Sequence, residues 1–346
     1  MEKYSVWLRN IYVIVAASLF LFAPGSSQSA APQPIKWRMQ TMFTSGFAWD
    51  VVPKRFAERI KQASGGRLEI TPYPANALVG TFQMLGAVRQ GAVEMGWAGG
   101  SFDVGAVPAQ IVMWGVPFTF TENVEEYNHL WWDLGMIDVA RAEYAKINIH
   151  LLAPLLATPY GSMMSRKPIR SLKDIKGIKL RSFSFAAELG KAFGASIVSV
   201  PPGEMYTALA SGTIDAAHWA GPDEFYSMKI HEVAKYYLKP AWISHISNNV
   251  YVNLDKWKSL PADLQQIVEL AAKVASVESA SYGHYLNQVS EEKMKAAGVT
   301  FTTLPKSDLD SMRATTMKIL AEKSKADPAT GKAAKILLDA MKVYGY

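Results

Sequence analysis

An α/β fold in two lobes is what this sequence predicts, and three observations carry the prediction. From Ser171 to Pro222, short apolar runs alternate with segments of helical spacing, the pattern of a parallel sheet with crossover helices. The chain has 346 residues and 49% hydrophobic content, more than the roughly 250–300 residues at which one core gives way to several. Finally, two strand-like segments, Asn148–Ala157 and Asn249–Leu254, bracket the middle of the chain. The chain leaves one lobe, builds a second and returns, and two crossovers make a natural hinge.

In order, Met1 to about Ala30 reads as a secretory signal. Lys3 and Arg9 precede an apolar run, Ile11–Ala23, and SSQSAA supplies small residues for cleavage. That run is shorter than the ~20 residues a membrane span needs. Lys36–Phe43 is a first strand, and Ala48–Ala63 a helix with Val52, Phe56 and Ile60 on one face, ended by Gly65 and Gly66. Leu68–Tyr73 is a strand, Phe82–Arg89 a helix, and Val93–Ala98 a strand ending in the Gly-Gly of WAGGSF. Asn123–Lys146 makes two packed helices, Asn148–Ala157 a strand that crosses into the second lobe, and Ser162–Pro168 another that returns. Strands at Ile178–Leu180, Ile197–Val200 and Ile214–Ala217 alternate with helices at Ala186–Phe193 and Glu204–Ala210. Pro261 opens a long helix, Ala262–Ala297, with Gly283 as its expected bend, and Ser307–Lys325 and Lys332–Val343 close the chain as surface helices. The boundaries that follow are 1–30 for the signal, 31–155 plus 250–346 for lobe I, and 156–249 for lobe II.

Composition narrows the function. With no cysteine, disulfides, thiolate metal sites and cysteine nucleophiles are excluded together. The net charge of +6 comes from 36 basic and 30 acidic residues that are scattered rather than clustered, so nucleic acid is not an expected partner. In a parallel sheet, ligands sit beyond the carboxyl ends of strands. Arg181 falls at one such end, and the His218-Trp219 pair at another. An arginine there offers a planar, permanently charged fork that matches a carboxylate, although most strand-end arginines are merely solvated. Ser101 and Phe102 in the WAGGSF loop, Phe47 after the first strand, and Phe183 after Arg181 are placed to wall the same cleft. Strand alternation turns only one of Phe183 and Phe185 toward a ligand, and Phe183 is the expected one. Trp97, Trp114 and Trp242 read as packing residues.

The pattern SLxDIKGxKxR, then GA, then PxxEMYTALxxGxIDAxxWxGP resembles the solute-binding proteins of TRAP transporters, in particular their 2-oxo-acid-binding branch. RFAERIKQASGGRLEITPYP (Arg55–Pro74), GAVRQGAVEMG (Gly86–Gly96), VPFTFT (Val116–Thr121) and AKYYLKP (Ala234–Pro240) extend the resemblance over essentially the whole mature chain. It implies the two-lobed periplasmic-binding-protein, or Venus flytrap, fold with a long helix spanning both lobes. It also implies a periplasmic receptor that passes an organic acid anion, a 2-oxo acid or another monocarboxylate, aromatic ones included, to a membrane permease; a homodimer stays open. Arg181 matches the family's carboxylate-binding arginine, and Trp219 its solute-lining tryptophan. Where cation-using members are expected to carry Glu and Gln, this chain has His218 and Tyr160. Neither is the hard oxygen ligand that Na⁺ or Ca²⁺ prefers. No metal and no cofactor is therefore expected, and His218 and Tyr160 are expected to hydrogen-bond the solute directly.

The competing class is an exported enzyme acting on a small carboxylic acid. No GxSxG, HExxH or Walker loop is present, and the six histidines show no metal-ligand spacing. Asp215 and Glu224 could be read as an acid/base pair, but their positions, in a strand and at the start of a helix, suit ordinary structural roles.

Overall fold

Two sheets, each fed by strands that cross from the other, organise the computed structural model. It describes residues 33–44, 50–120, 123–157 and 161–346. The secretory signal read over residues 1–30, Phe47 and Tyr160 lie outside the described residues. Residues 34–346 form one unit.

The first sheet has the order β2-β1-β3-β10-β4. Its strands are β1 (Ile35–Thr41), β2 (Leu68–Tyr73), β3 (Met95–Gly99), β4 (Ile149–Ala157) and β10 (Ile246–Asn253). The second has the order β11-β9-β5-β8-β6-β7. It contains β5 (Met163–Ser165), β6 (Lys179–Arg181), β7 (Ser196–Val198), β8 (Ala216–His218), β9 (Tyr236–Lys239) and β11 (Thr300–Thr303). The expected parallel pairings are present: β1 with β2 and β3, and β6 with β7 and β8. Both sheets are nonetheless mixed, because β10 runs antiparallel to β3 and β5 antiparallel to β8. The cause is the crossing itself. A strand that enters a lobe at the edge where the previous strand left must run against its new neighbours. Every residue of β10 is buried, as suits a central strand covered on both faces.

Helices cover the sheets in chain order: α1 (Val51–Ala63), α2 (Met84–Arg89), α3 (Gln110–Met113), α4 (Val124–Trp132) and α5 (Met136–Ala145) on the first, with α6 (Ser184–Ala192), α7 (Met205–Ser211), α8 (Pro222–Ser227) and α9 (Ile230–Val233) on the second. The apolar spacing of α1 buries Val52, Phe56 and Ile60 completely, and Gly65 and Gly66 end it at positive φ. Asn123 caps α4 by accepting from Glu125 N–H at 3.0 Å.

After α10 (Leu254–Ser259), α11 (Ala262–Ala296) runs unbroken through Gly283 and packs on β4, α1 and α8, so it touches elements of both sheets. Glu278 of α11 receives Arg55 and Arg59 of α1 at 2.7 and 2.6 Å. On the other sheet, Asn287 Oδ1 accepts from Asp223 N–H at 3.2 Å. A Cβ on Gly221 would stand 2.1 Å from that oxygen, so a side chain at 221 would displace Asn287. The sequence pattern places 250–346 in lobe I, but β11 pairs with β9 in the second sheet, and α12 (Lys306–Lys323) packs on α6. The long helix carries the chain across, and only α13 (Pro328–Tyr344) returns, against α3, α4 and α5. Among the described residues, no helix is long and apolar enough to cross a membrane.

Candidate functional site

Strand β6 ends on Arg181 and its parallel neighbour β8 ends on His218, so the sheet register sets both at one edge. Arg181 is only 1% exposed. Its Nε donates to Val200 O at 3.1 Å and its Nη1 to His218 O at 2.9 Å. The guanidinium carbon lies over two aromatic rings, 4.5 Å from the ring centre of Phe183 and 4.5 Å from that of Trp219. Two cation–π contacts and two hydrogen bonds from its own nitrogens hold the fork in place. Such a charge is costly to bury, and it suits a small anion best where its orientation is already set.

The cavity beside Arg181 is lined by Ser101, Trp114, Phe183, His218 and Trp219. Ser101 and Trp114 belong to the first sheet's side, the other three to the second. Phe102 contributes from a layer further out. Its ring packs edge-on against Phe183 at 5.3 Å, and Phe82, which precedes α2, closes the triangle at 5.2 Å to Phe102 and 5.8 Å to Phe183. Three rings from two lobes thus seal the mouth. The cavity left inside is about 10 Å³, room for roughly one water molecule. A solute therefore enters only when the lobes separate. A larger hollow, about 760 Å³, lies between Phe118, Glu126, Arg313 and Tyr344. Its cation, Arg313, is half exposed and sits 3.9 Å from Asp310, so it lacks the set geometry of Arg181.

His218 is neutral. Burial, and then the neighbouring Arg181 charge, push its pKa down to about 3. Its ring tilts against Trp242, with 5.7 Å between centroids. Phe185 is fully buried in the core of the second lobe, whereas Phe183 faces the guanidinium. Trp97 packs between Phe43 and Phe56 in the first lobe. Trp114, which reads from sequence as a packing residue, lines the cavity instead; it follows the single turn of α3, where no periodicity marks a face. Phe82 is equally silent in the sequence, since an aromatic residue opening a helix carries no signal of a partner in another lobe. Asp215 has a structural role, accepting from Lys179 N–H at 2.9 Å to brace β6 against β8.

The WAGGSF loop rests on a buried polar floor. Tyr144 Oη donates to Asp103 Oδ2, and Asn249 Nδ2 donates to Tyr144 Oη at 2.7 Å. Burial raises the Asp103 carboxyl to about 7. A Cβ on Gly100 would stand 2.3 Å from Gln110 Oε1 and 2.9 Å from Asn249 Nδ2. At a strand's carboxyl end this glycine pair is expected to admit a ligand; Gly100 instead admits the floor, which fixes where Ser101 and Phe102 point.

The described side chains around Arg181 offer one hydroxyl, two indoles, one phenyl and one neutral imidazole, and no carboxylate. Ca²⁺ takes six to eight hard oxygen ligands, so this donor set does not fit it. Among the described residues, no group of three or more His, Asp or Glu could hold a metal ion.

Comparison with known proteins gives a consistent picture. Residues 48–326 match the family model described as bacterial extracellular solute-binding protein, family 7. A monocarboxylate 2-oxoacid-binding periplasmic protein of Nostoc is 28% identical over 308 residues, spanning 88% of this chain and 83% of the relative. A TRAP periplasmic solute-binding protein of Pseudoalteromonas atlantica, solved with bound sodium and pyruvate, is 28% identical, with a TM-score of 0.84 over 90% of this chain and 95% of that one. One from Bordetella bronchiseptica, with copurified calcium and picolinate, is 25% identical, with a TM-score of 0.84 over 90% and 93%.

Proposed function

The chain belongs to the bacterial extracellular solute-binding proteins, family 7, and from that premise we propose that it receives a small organic monocarboxylate at Arg181 and hands it to a TRAP permease. The family and its structural neighbours are receptors rather than enzymes, and the chain has their two-lobed fold. One observation carries the choice of solute: a buried guanidinium, held against the rings of Phe183 and Trp219, lines a cleft between lobes. A carboxylate there would make two parallel charge-assisted hydrogen bonds. The Nostoc relative's 2-oxo acids and the pyruvate and picolinate of the solved relatives put 2-oxo and aryl monocarboxylates first among candidates.

Binding here proceeds without a cation bridge, because among the described residues the lining supplies no carboxylate to hold one. His218 contributes as a neutral group, so among the described lining residues the charge comes from Arg181. Closure follows from contacts to both lobes: the solute favours the state in which Phe82 and Phe102 meet Phe183. The protein is proposed to work in the periplasm after removal of residues 1–30. The test is incubation of the full mature chain with a panel of 2-oxo and aryl monocarboxylates. A receptor raises its melting temperature with the right acid and leaves the acid unchanged. Turnover of any acid, or no shift with all of them, contradicts this reading.

A further inference from the structure

The first-lobe wall of the cleft brings three polar atoms to one point. A Cβ placed on Gly99, at the carboxyl end of β3, would lie 3.3 Å from Ser101 Oγ, 3.6 Å from Asn248 Oδ1 and 3.7 Å from Trp114 Nε1. They arrive from three separate elements. Ser101 is in the loop after β3, Trp114 follows α3, and Asn248 lies on β10, directly across from Gly99 in the sheet. Asn248 is 2% and Trp114 5% exposed. Among the described residues, neither Trp114 Nε1 nor Asn248 Oδ1 has a hydrogen-bond partner. Each such buried group costs about 1–3 kcal/mol while its bond is unmade. Other buried groups share this state, Trp97 Nε1 and Trp242 Nε1 among them, so what calls for a reason is the place of Trp114 on the cavity. Ser101 and Trp114 line the same small cavity as Arg181.

We infer that Trp114, Ser101 and Asn248 form a subsite that reads an oxygen on the carbon next to the carboxylate held by Arg181. This rests on the carboxylate-receptor reading above and adds how that receptor chooses among acids. An indole N–H only donates, an amide oxygen only accepts, and a serine hydroxyl does either. A 2-oxo oxygen accepts from Trp114 and Ser101. A 2-hydroxyl accepts from Trp114 and donates to Asn248. A plain acid with CH₂ at this carbon leaves both buried groups unmade. The class selected is therefore 2-oxo and 2-hydroxy monocarboxylates, with the unsubstituted acid excluded. The division of labour is one lobe for the carboxylate and the other for its neighbour, so only a solute with both features engages both lobes.

The experiment is calorimetric titration of the mature chain with two matched triplets: pyruvate, lactate and propionate, then 2-oxo-, 2-hydroxy- and unsubstituted 4-methylpentanoate. In the wild type, the oxygenated members of a triplet bind at least ~10-fold more tightly than the plain acid. Trp114→Phe keeps a ring and removes the donor. It brings the members of a triplet to within about threefold of one another. Ser101→Ala narrows the same ratio and serves if the tryptophan variant folds poorly. Equal binding of plain and oxygenated acids by the wild type, or an unchanged ratio in both variants, overturns the subsite while leaving the receptor intact. No binding of any acid overturns the receptor reading and the subsite with it.

Discussion

Replacing Arg181 strikes at the centre of the site, and its effect can be worked from the contacts. A carboxylate on the fork makes two charge-assisted hydrogen bonds, each with a net value of roughly 1.5–3 kcal/mol. Losing both costs about 3–6 kcal/mol, a factor of ~10²–10⁴ in Kd. Arg181→Ala also removes the donors that Val200 O and His218 O now use, and the group on which Phe183 and Trp219 stack. Some apo stability goes with them, about 1–3 kcal/mol for each buried carbonyl left alone. Arg181→Lys separates the two effects. It keeps the charge and loses the planar fork, so it costs about 1.5–3 kcal/mol, or roughly 10- to 150-fold, in binding. The assay is calorimetric titration with the best acid of the panel, beside scanning calorimetry and circular dichroism of the apo proteins. A folded Arg181→Ala protein that binds within about threefold of wild type would refute the reasoning.

The remaining predictions concern closure, protons and metal. Phe82→Ala removes its one edge-on contact across the lobes, to Phe183, worth about 0.5–1.5 kcal/mol; the dissociation rate should rise roughly 2- to 12-fold, and an unchanged rate by stopped flow counts against the aromatic seal. Because His218 is already neutral, with a pKa near 3, affinity should stay flat from about pH 5 to 8, and a fall toward the alkaline end would show that a protonated imidazole binds the acid. Stability has its own pH signature: burial lowers His218 and His150 to about 3 and His245 to about 4, so their contribution, full above pH 6.5, is lost as pH falls toward those values. Asp103, raised to about 7, acts in the opposite sense, its contribution being full below 3.8 and lost as pH rises through 7. Three protons against one leave stability rising from about pH 4 to 6.5, by up to about 2.7 kcal/mol per unit; a flat melting temperature over that range excludes the neutral histidines. Dialysis against EDTA should leave affinity for the best acid unchanged, and a large loss restored by Ca²⁺ would contradict the cation-free site.

How much of the molecule is legible in its sequence depends on what kind of signal each residue leaves. Arg181 and His218 end short apolar runs, so their place at strand ends can be read directly. So can the helical face of Val52, Phe56 and Ile60. Strand direction cannot, because alternation is the same whichever way a strand runs; β5 and β10 take their direction from the crossing. The membership of β11 is equally hidden, since its place depends on where a 35-residue helix sets the chain down. At the site, Trp114 and Asn248 give no hint of a role. One follows a single helical turn and the other sits in a strand buried on both faces, where polar and apolar positions do not separate. The Gly-Gly loop stands out as special, but what Gly100 must clear, Gln110 and Asn249, comes from elements remote in sequence.

A crystal structure of the protein loaded with its best-bound acid tests the central claim most directly. The expected result is a pair of lobes closed on the solute, with carboxylate oxygens roughly 2.7–2.9 Å from the Arg181 guanidinium and no cation between them. An acid seated elsewhere, or one reaching Arg181 only through a metal ion, would contradict it.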